Sequence, residues 1–288
     1  MLNYVIHTDS ACDLSAEVLK EWGVKSTGLT YKFDGSDKVY ANDELPAKDF
    51  YSQMRDGKVA KTAAVNVEAF TADFEETLKE GKDILYLGFS SGLSSTFNAG
   101  RIAANQLLEK YPERKILVVD TLMASAGTGL YIRYVLDKAI EGATIEEVCA
   151  YAEEIKMNVS AWFTVDDLVY LKRGGRVSAT TAFVGNMLGI KPVLHVDNEG
   201  HLVNVSKARG RKNSIMALAD KFGEYAIEKA TDKVFISHGD CIADAEELAA
   251  ILKEKYGATV SLITDVGAVI GAHSGPGTLA LFYLGKER

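Results

Sequence analysis

Gly88-Phe-Ser-Ser-Gly-Leu-Ser-Ser-Thr-Phe-Asn98 follows the apolar run Ile84-Leu-Tyr-Leu87 and leads into a segment of helical periodicity. A strand that passes into a helix through a polar loop is the repeating unit of parallel sheets with crossover helices. The same texture recurs on either side. Tyr4–Ile6 ends in His7-Thr-Asp-Ser10 ahead of a helical stretch from Ser15 to Trp22, and Ile116–Val119 precedes another. Apolar spacing predicts helices over Val67–Leu78, Thr96–Leu108, Ala124–Ala139 and Ile145–Ile155. These alternations read as an N-terminal α/β domain with a mostly parallel sheet and flanking helices.

The second half opens differently. Leu171-Lys-Arg-Gly-Gly-Arg-Val177 is a basic glycine turn, and Thr181–Leu188 reads as a short apolar helix. Two strand candidates, Lys191–Val196 and His201–Ala208, flank Asp197-Asn-Glu-Gly200, which reads as the loop of an antiparallel hairpin. Alternation then resumes with strands at Lys233–His238, Val260–Asp265 and Leu279–Leu284 and a helix at Ala243–Tyr256. A C-terminal α/β domain with a mixed sheet is expected. The boundary falls between Ile155 and Thr164, giving domains of 1–158 and 159–288.

Bulk properties restrict the function. With 288 residues, 47% hydrophobic and 25% charged, the chain has the balance of a soluble globular protein. A net charge of -8 opposes sequence-independent nucleic-acid binding and docking on anionic membranes. No apolar run has membrane-spanning length, so no stable membrane insertion is expected. Cys12, Cys149 and Cys241 show no zinc spacing, and no secretory leader is read at the start, which together suggest reduced thiols in the cytoplasm.

Candidate sites emerge from the loops. Ser94, Ser95 and Thr96, after Ser90 and Ser91, supply more hydroxyls than a helix cap requires, and the N–H groups of a first helical turn suit an anion. Gly271-Ala-His-Ser-Gly-Pro-Gly-Thr278 places His273 in a glycine-rich turn, where it is able to donate to a carboxylate, particularly when protonated. Asp13 and Ser15 read as turn and cap residues and Asn66 as the cap of the next helix, while Asp9, at the carboxyl end of the first strand, is open between a turn role and a metal ligand or general base. Arg173, Arg176 and the run Lys207–Lys212 are either a solvated face or contacts for an anion or partner.

Nucleotide and zinc-protease motifs are absent: there is no GxGxxG after a strand, no GxxxxGK[ST] and no HExxH. Gly88-Phe-Ser-Ser-Gly92 satisfies GxSxG around Ser90, but the helix starts too late for a nucleophile elbow. A Ser/His acyl hydrolase using Ser90 or Ser94 with His273 therefore stands as an alternative. A regulatory sensor of an anionic ligand, with no catalytic partner, is another.

Four motifs in order, Thr8-Asp-Ser-Ala-Cys-Asp-Leu14, Ser90-Ser-Gly-Leu-Ser-Ser-Thr96, Leu171–Val177 and His273-Ser-Gly-Pro-Gly277, make the chain resemble the DegV family over essentially its full length. That group includes the fatty-acid-binding subunits of bacterial fatty acid kinase. The resemblance implies two α/β domains with a long-chain fatty acid between them and no cofactor. It implies a carboxylate held by Thr62, Ser94, the N–H of Ser95, and His273. It further implies a separate ATP-dependent kinase that phosphorylates the bound acid to an acyl phosphate for phospholipid synthesis. Arg173 and Arg176 match the basic glycine turn and are assigned to phosphate or partner contact. Two departures stand out: Thr62-Ala-Ala-Val65 replaces a Thr-Ser-Gln-Pro-like stretch, and Ser95 replaces glycine.

The physics of such a carrier is consistent. About fourteen buried methylenes offer roughly 11 kcal/mol before ordering costs. The carboxylate must be hydrogen-bonded in an apolar cleft or take up a proton. Phe97, Phe183, Met187 and Leu188 are the residues read as lining the tail.

Overall fold

The computed structural model describes residues 2–177, 189–227 and 231–288. The predicted helix at 181–188, with Phe183, Met187 and Leu188, lies outside the described residues. From the N-terminus, strand β1 (Tyr4–Asp9) leads through a turn to helix α1 (Ala16–Trp22) and strand β2 (Lys25–Thr27). Next come β3 (Thr30–Phe33), β4 (Tyr40–Ala41), α2 (Ala47–Arg55) and β5 (Ala60–Ala63). Then α3 (Val67–Lys79), β6 (Asp83–Gly88), α4 (Thr96–Lys110), β7 (Ile116–Asp120), α5 (Ala126–Ile140) and α6 (Ile145–Ile155) complete the first half. The second half runs β8 (Val159–Thr164), α7 (Val169–Arg173), β9 (Ile190–Val196), β10 (Leu202–Arg209) and α8 (Arg211–Tyr225). It closes with β11 (Val234–His238), α9 (Ile242–Tyr256), β12 (Val260–Asp265), α10 (Ala268–Ser274) and β13 (Leu279–Leu284).

The architecture is mixed α/β, with a parallel sheet and a separate mixed sheet. Strands β2-β1-β6-β7 form the parallel sheet. The mixed sheet runs β10-β9-β8-β13-β11-β12, in which β11 and β12 are parallel and the other pairs antiparallel. The predicted hairpin is β9 and β10, closed by the Asp197–Gly200 loop, in which Gly200 takes a left-handed φ of 77°. A small antiparallel sheet, β4-β3-β5, was not legible from the sequence, because its strands are short and its turns weak.

Strand alternation assigns each face of the mixed sheet. Ala161, Phe163, Leu194, Val196, Phe235, Ala280 and Phe282 share one core with residues of the parallel-sheet half. Trp162, Val193, Ile236, Leu279, Leu281 and Tyr283 point the other way, under Ile215, Leu218, Phe222, Leu248 and Leu252 of α8 and α9. Helix α5, apolar on nearly every side, packs against β6 of the parallel sheet and against β8, β11 and β13 of the mixed one.

Two caps set the loops that matter for the site. Ser15 caps α1 by accepting from the Val18 N–H at 3.3 Å, and Asn66 caps α3 by accepting from Ala69 at 2.8 Å. Asp13 is no cap. It sits in left-handed conformation at φ 53°, and its carboxylate accepts from Ser125 instead. Asp9 is structural: buried, it accepts from the N–H groups of Ala11 and Phe89 and from the Tyr86 hydroxyl.

Candidate functional site

A cavity of about 310 Å³ opens between the inner face of the mixed sheet, the loops after β6 and β7, and helix α10. One water needs only about 10–15 Å³, so the space suits an organic ligand. Its walls are mainly apolar, from Leu29, Phe89, Phe163, Val196, Val269 and Phe282 among others. Thr62, Ser94, Ser95, Arg176 and His273 all line it, although they come from four distant segments.

Each of these side chains is placed by identifiable packing. Thr62 lies on β5, paired with Tyr31 on β3, and that small sheet shares an aromatic core with α2 and α10. Tyr31, Phe33, Phe50 and Tyr51 pack there against Val266, Ala268 and Ala272. The Tyr51 hydroxyl donates to the Val266 carbonyl at 2.8 Å, and Asn42 accepts from the Val269 N–H at 2.8 Å, anchoring the start of α10. At the other end Gly275, at φ 83°, stops the helix where a side chain would collide with Tyr170. His273 is thereby held with Nε2 2.8 Å from Thr62 Oγ1.

The ring's other nitrogen explains the basic glycine turn. His273 Nδ1 is buried without a hydrogen-bond partner and faces the Cα of Gly174; a Cβ there would overlap it and lie 3.1 Å from Cγ. Two motifs nearly a hundred residues apart are thus pressed together, with glycine required for the approach. Burial, followed by the Arg176 guanidinium, lowers the His273 pKa to about 4, so the imidazole is neutral at pH 7. In the unliganded cavity His273 is thus a neutral imidazole. The cation beside it is Arg176, whose Nε donates to the Leu93 carbonyl at 3.1 Å and whose Nη1 donates to the Gly174 carbonyl.

Ser94 sits just before α4. Its Oγ accepts from the Thr96 N–H at 3.2 Å and lies 2.9 Å from Thr96 Oγ1, which is fully buried. Ser95 is exposed at the same helix start. Arg173 does not line the cavity; it is exposed, with its guanidinium over the Tyr170 ring at 5.6 Å. Nor does Phe97, whose ring stacks on Tyr86 at 6.1 Å between centroids and belongs to the core beneath α4. An aromatic in the first turn of a helix that packs on a sheet is core by default, and that reading applies here.

Among the described residues no serine is hydrogen-bonded to the imidazole. Ser90 is buried and donates to the Gly200 carbonyl at 2.9 Å, outside the cavity lining. Ser94 pairs with Thr96, and His273 with Thr62. This geometry disfavours the hydrolase alternative, which needs a Ser–His hydrogen bond. Among the described residues no group of three His, Cys, Asp or Glu side chains is placed to hold a metal. No described helix is long and apolar enough to cross a membrane.

Three further serines, Ser125, Ser237 and Ser274, line the cavity and were not singled out from the sequence. Ser274 is buried, and its Oγ has no hydrogen-bond partner. Its place beside His273 was the available signal.

The DegV family model matches residues 3–286. The chain belongs to the DegV family. A DegV domain-containing protein of Clostridium perfringens is 43% identical over 100% of this chain and 99% of its own length. A DegV lipid-binding protein from Thermotoga maritima superposes with a TM-score of 0.86 at 32% identity, covering all of both chains. A second Thermotoga maritima structure, described as revealing fatty acid binding function, has a TM-score of 0.85 at 30% identity and covers 99% of this chain and 100% of its own. The four quoted motifs are therefore those of a DegV protein, and fatty acids are ligands of relatives that share the whole fold.

Proposed function

We propose that this DegV protein binds a long-chain fatty acid in the cavity and presents its carboxylate to a separate ATP-dependent kinase. The observation that carries the reading is the polarity of the cavity: apolar walls lead to one cluster of Thr62, Ser94, Ser95, His273 and Arg176. An acyl tail matches the walls, and a carboxylate matches the cluster.

Hydrogen counting gives the cluster a direction. If neutral His273 donates from Nε2 to Thr62, the threonine hydroxyl keeps its own hydrogen for the ligand. The opposite tautomer would bury an N–H at Nδ1 with nothing to receive it. If Thr96 likewise donates to Ser94, the Ser94 hydroxyl is also free to donate to the ligand. Two backed hydroxyls and the Ser95 N–H at the positive end of α4 then hold the anion. Arg176 supplies charge, and a carboxylate oxygen is left to attack a phosphoryl donor. Arg173, exposed and three residues from Arg176, is assigned to the partner. The same proposal divides the chain at 158/159, between α6 and β8, and places the protein in the cytoplasm, where its three free cysteines stay reduced.

Native mass spectrometry of the purified protein, followed by lipid extraction, tests the carrier reading. A stoichiometric C14–C18 acid is expected. Protein that is empty and also refuses added palmitate and oleate would rule it out.

A further inference from the structure

The cavity carries a second polar cluster that a simple acyl chain leaves unused. Along β11 the inner face alternates Phe235 and Ser237, and the neighbouring inward positions on β13 are Ala280 and Phe282. Strand period would place an apolar side chain at 237. Ser237 stands there instead, wholly buried, on the cavity wall, with Oγ 2.9 Å from Ser125 Oγ. Ser125 donates to Asp13 Oδ2 at 2.5 Å.

The backbone is distorted to assemble this row. Ser125 is held at φ 54°, ψ -149° at the start of α5, and Asp13 at φ 53°. Left-handed non-glycine residues of this kind gather at functional sites. The left-handed turn at Asp13 closes the short helical turn after β1, its N–H donating to the Ser10 carbonyl, whereas the Ser125 side chain makes no cap bond to α5 and is left to the row.

The two hydroxyls share a limited set of protons. With Asp13 ionised, Ser125 donates to Asp13 and Ser237 donates to Ser125, so Ser237 shows the cavity an acceptor. With Asp13 protonated, the row reverses and Ser237 shows a donor. Burial pushes the Asp13 carboxyl up to about 7, so both arrangements exist near neutrality. A hydroxyl satisfies either arrangement, a keto group only one, and a methylene neither.

Helix α10 gives the distance from the head group. Gly267, the residue just before its first turn, lies beside the Asp13 carboxylate, where a Cβ would come to 2.5 Å from Oδ1. His273 is six residues along the same helix, about 9 Å away at about 1.5 Å per residue. One leaflet of acyl chains, half a bilayer core, is about 15 Å deep. The serine row therefore meets the middle of a chain whose carboxylate is at His273.

We propose that Ser237 and Ser125, backed by Asp13, form a subsite for a mid-chain hydroxyl, and that the cavity accepts hydroxylated long-chain fatty acids. The inference rests on the carboxylate assignment above. Calorimetric titration of the full protein with stearic, 10-hydroxystearic and 18-hydroxystearic acids tests it. The 10-hydroxy acid is expected to bind at least as tightly as stearic acid and about tenfold more tightly than the 18-hydroxy acid. Ser237→Ala should lower the preference for 10-hydroxystearic over stearic acid about tenfold. Weaker binding of the 10-hydroxy acid than of stearic acid, or an unchanged preference in Ser237→Ala, overturns the subsite and leaves the carrier reading standing. Binding of none of the three overturns both. If Ser237→Ala does not fold, the wild-type order of the three acids decides.

Discussion

Gly174→Ala tests how the site is built with the smallest possible change. Gly174 has φ -71° and ψ -12°, a conformation alanine adopts without strain, so the backbone gives no reason for glycine. Helix propensity alone would favour alanine by up to about 1 kcal/mol. The new methyl, however, would overlap His273 Nδ1 and lie 3.1 and 3.2 Å from Cγ and Cε1. Ordinary carbon contact begins near 3.5 Å, so the ring must retreat by roughly 1 Å or more. Because the methyl meets the ring head-on at Nδ1, direct retreat would drive Nε2 into Thr62 Oγ1, already 2.8 Å away, so the ring must swing aside and that bond breaks. Thr62 loses the donor that orients its hydroxyl toward a charged ligand, an interaction of about 1.5–3 kcal/mol, which is about 10- to 150-fold in affinity. Fatty-acid titration of wild type, Gly174→Ala, His273→Ala and the double variant gives a complete cycle. Gly174→Ala should cost tenfold or more alone and almost nothing once the imidazole is gone. An affinity within twofold of wild type, or equal losses in both backgrounds, would refute the reasoning.

Ser94→Ala should weaken fatty-acid binding at least tenfold; because Ser94 also accepts from the Thr96 N–H, urea denaturation should show a further stability loss of about 1 kcal/mol. Binding that is unchanged would remove Ser94 from the clamp. His273 has a folded-state pKa of about 4, below the unfolded value of about 6.5, so the unfolded chain takes up the proton first as pH falls. Its contribution is complete above pH 6.5 and lost between about 6.5 and 4. The stability of wild type relative to His273→Gln, by urea titration at each pH, should accordingly fall by about 3 kcal/mol across that window, and a flat difference would contradict it. Arg173→Ala should preserve fatty-acid affinity and lower acyl-phosphate formation with the cognate kinase. A loss of affinity would instead place Arg173 at the ligand.

Strand and helix spacing was readable wherever local pattern and burial agree. Val260–Asp265 and Leu279–Leu284 match the observed strands, and the hairpin around Asp197–Gly200 follows from its glycine. Helices α2 and α8 were missed, as was β4-β3-β5: α8 has weak amphipathic periodicity and is held by packing on α9, the sheet's strands are too short to show a period, and the apolar face of α2, Phe50, Tyr51 and Met54, was legible but passed over. The loss mattered, since β5 carries Thr62 and its small sheet packs on α10.

Taken alone, the sequence determined that this chain is an α/β protein with the motifs of the DegV family, and it named hydroxyls and a histidine suited to an anion. Hydroxyl-rich loops, glycine turns and apolar periods are local properties, set by neighbouring residues. The rest was decided by tertiary structure: that Thr62, Ser94, Arg176 and His273 face one cavity, that His273 is neutral, and that Gly174 makes room for it. Long-range packing also moved Phe97 onto Tyr86 and brought Ser125 and Ser237 to the wall. Desolvation, steric fit and cross-chain hydrogen bonds depend on which distant segments meet, and no window of sequence contains that information.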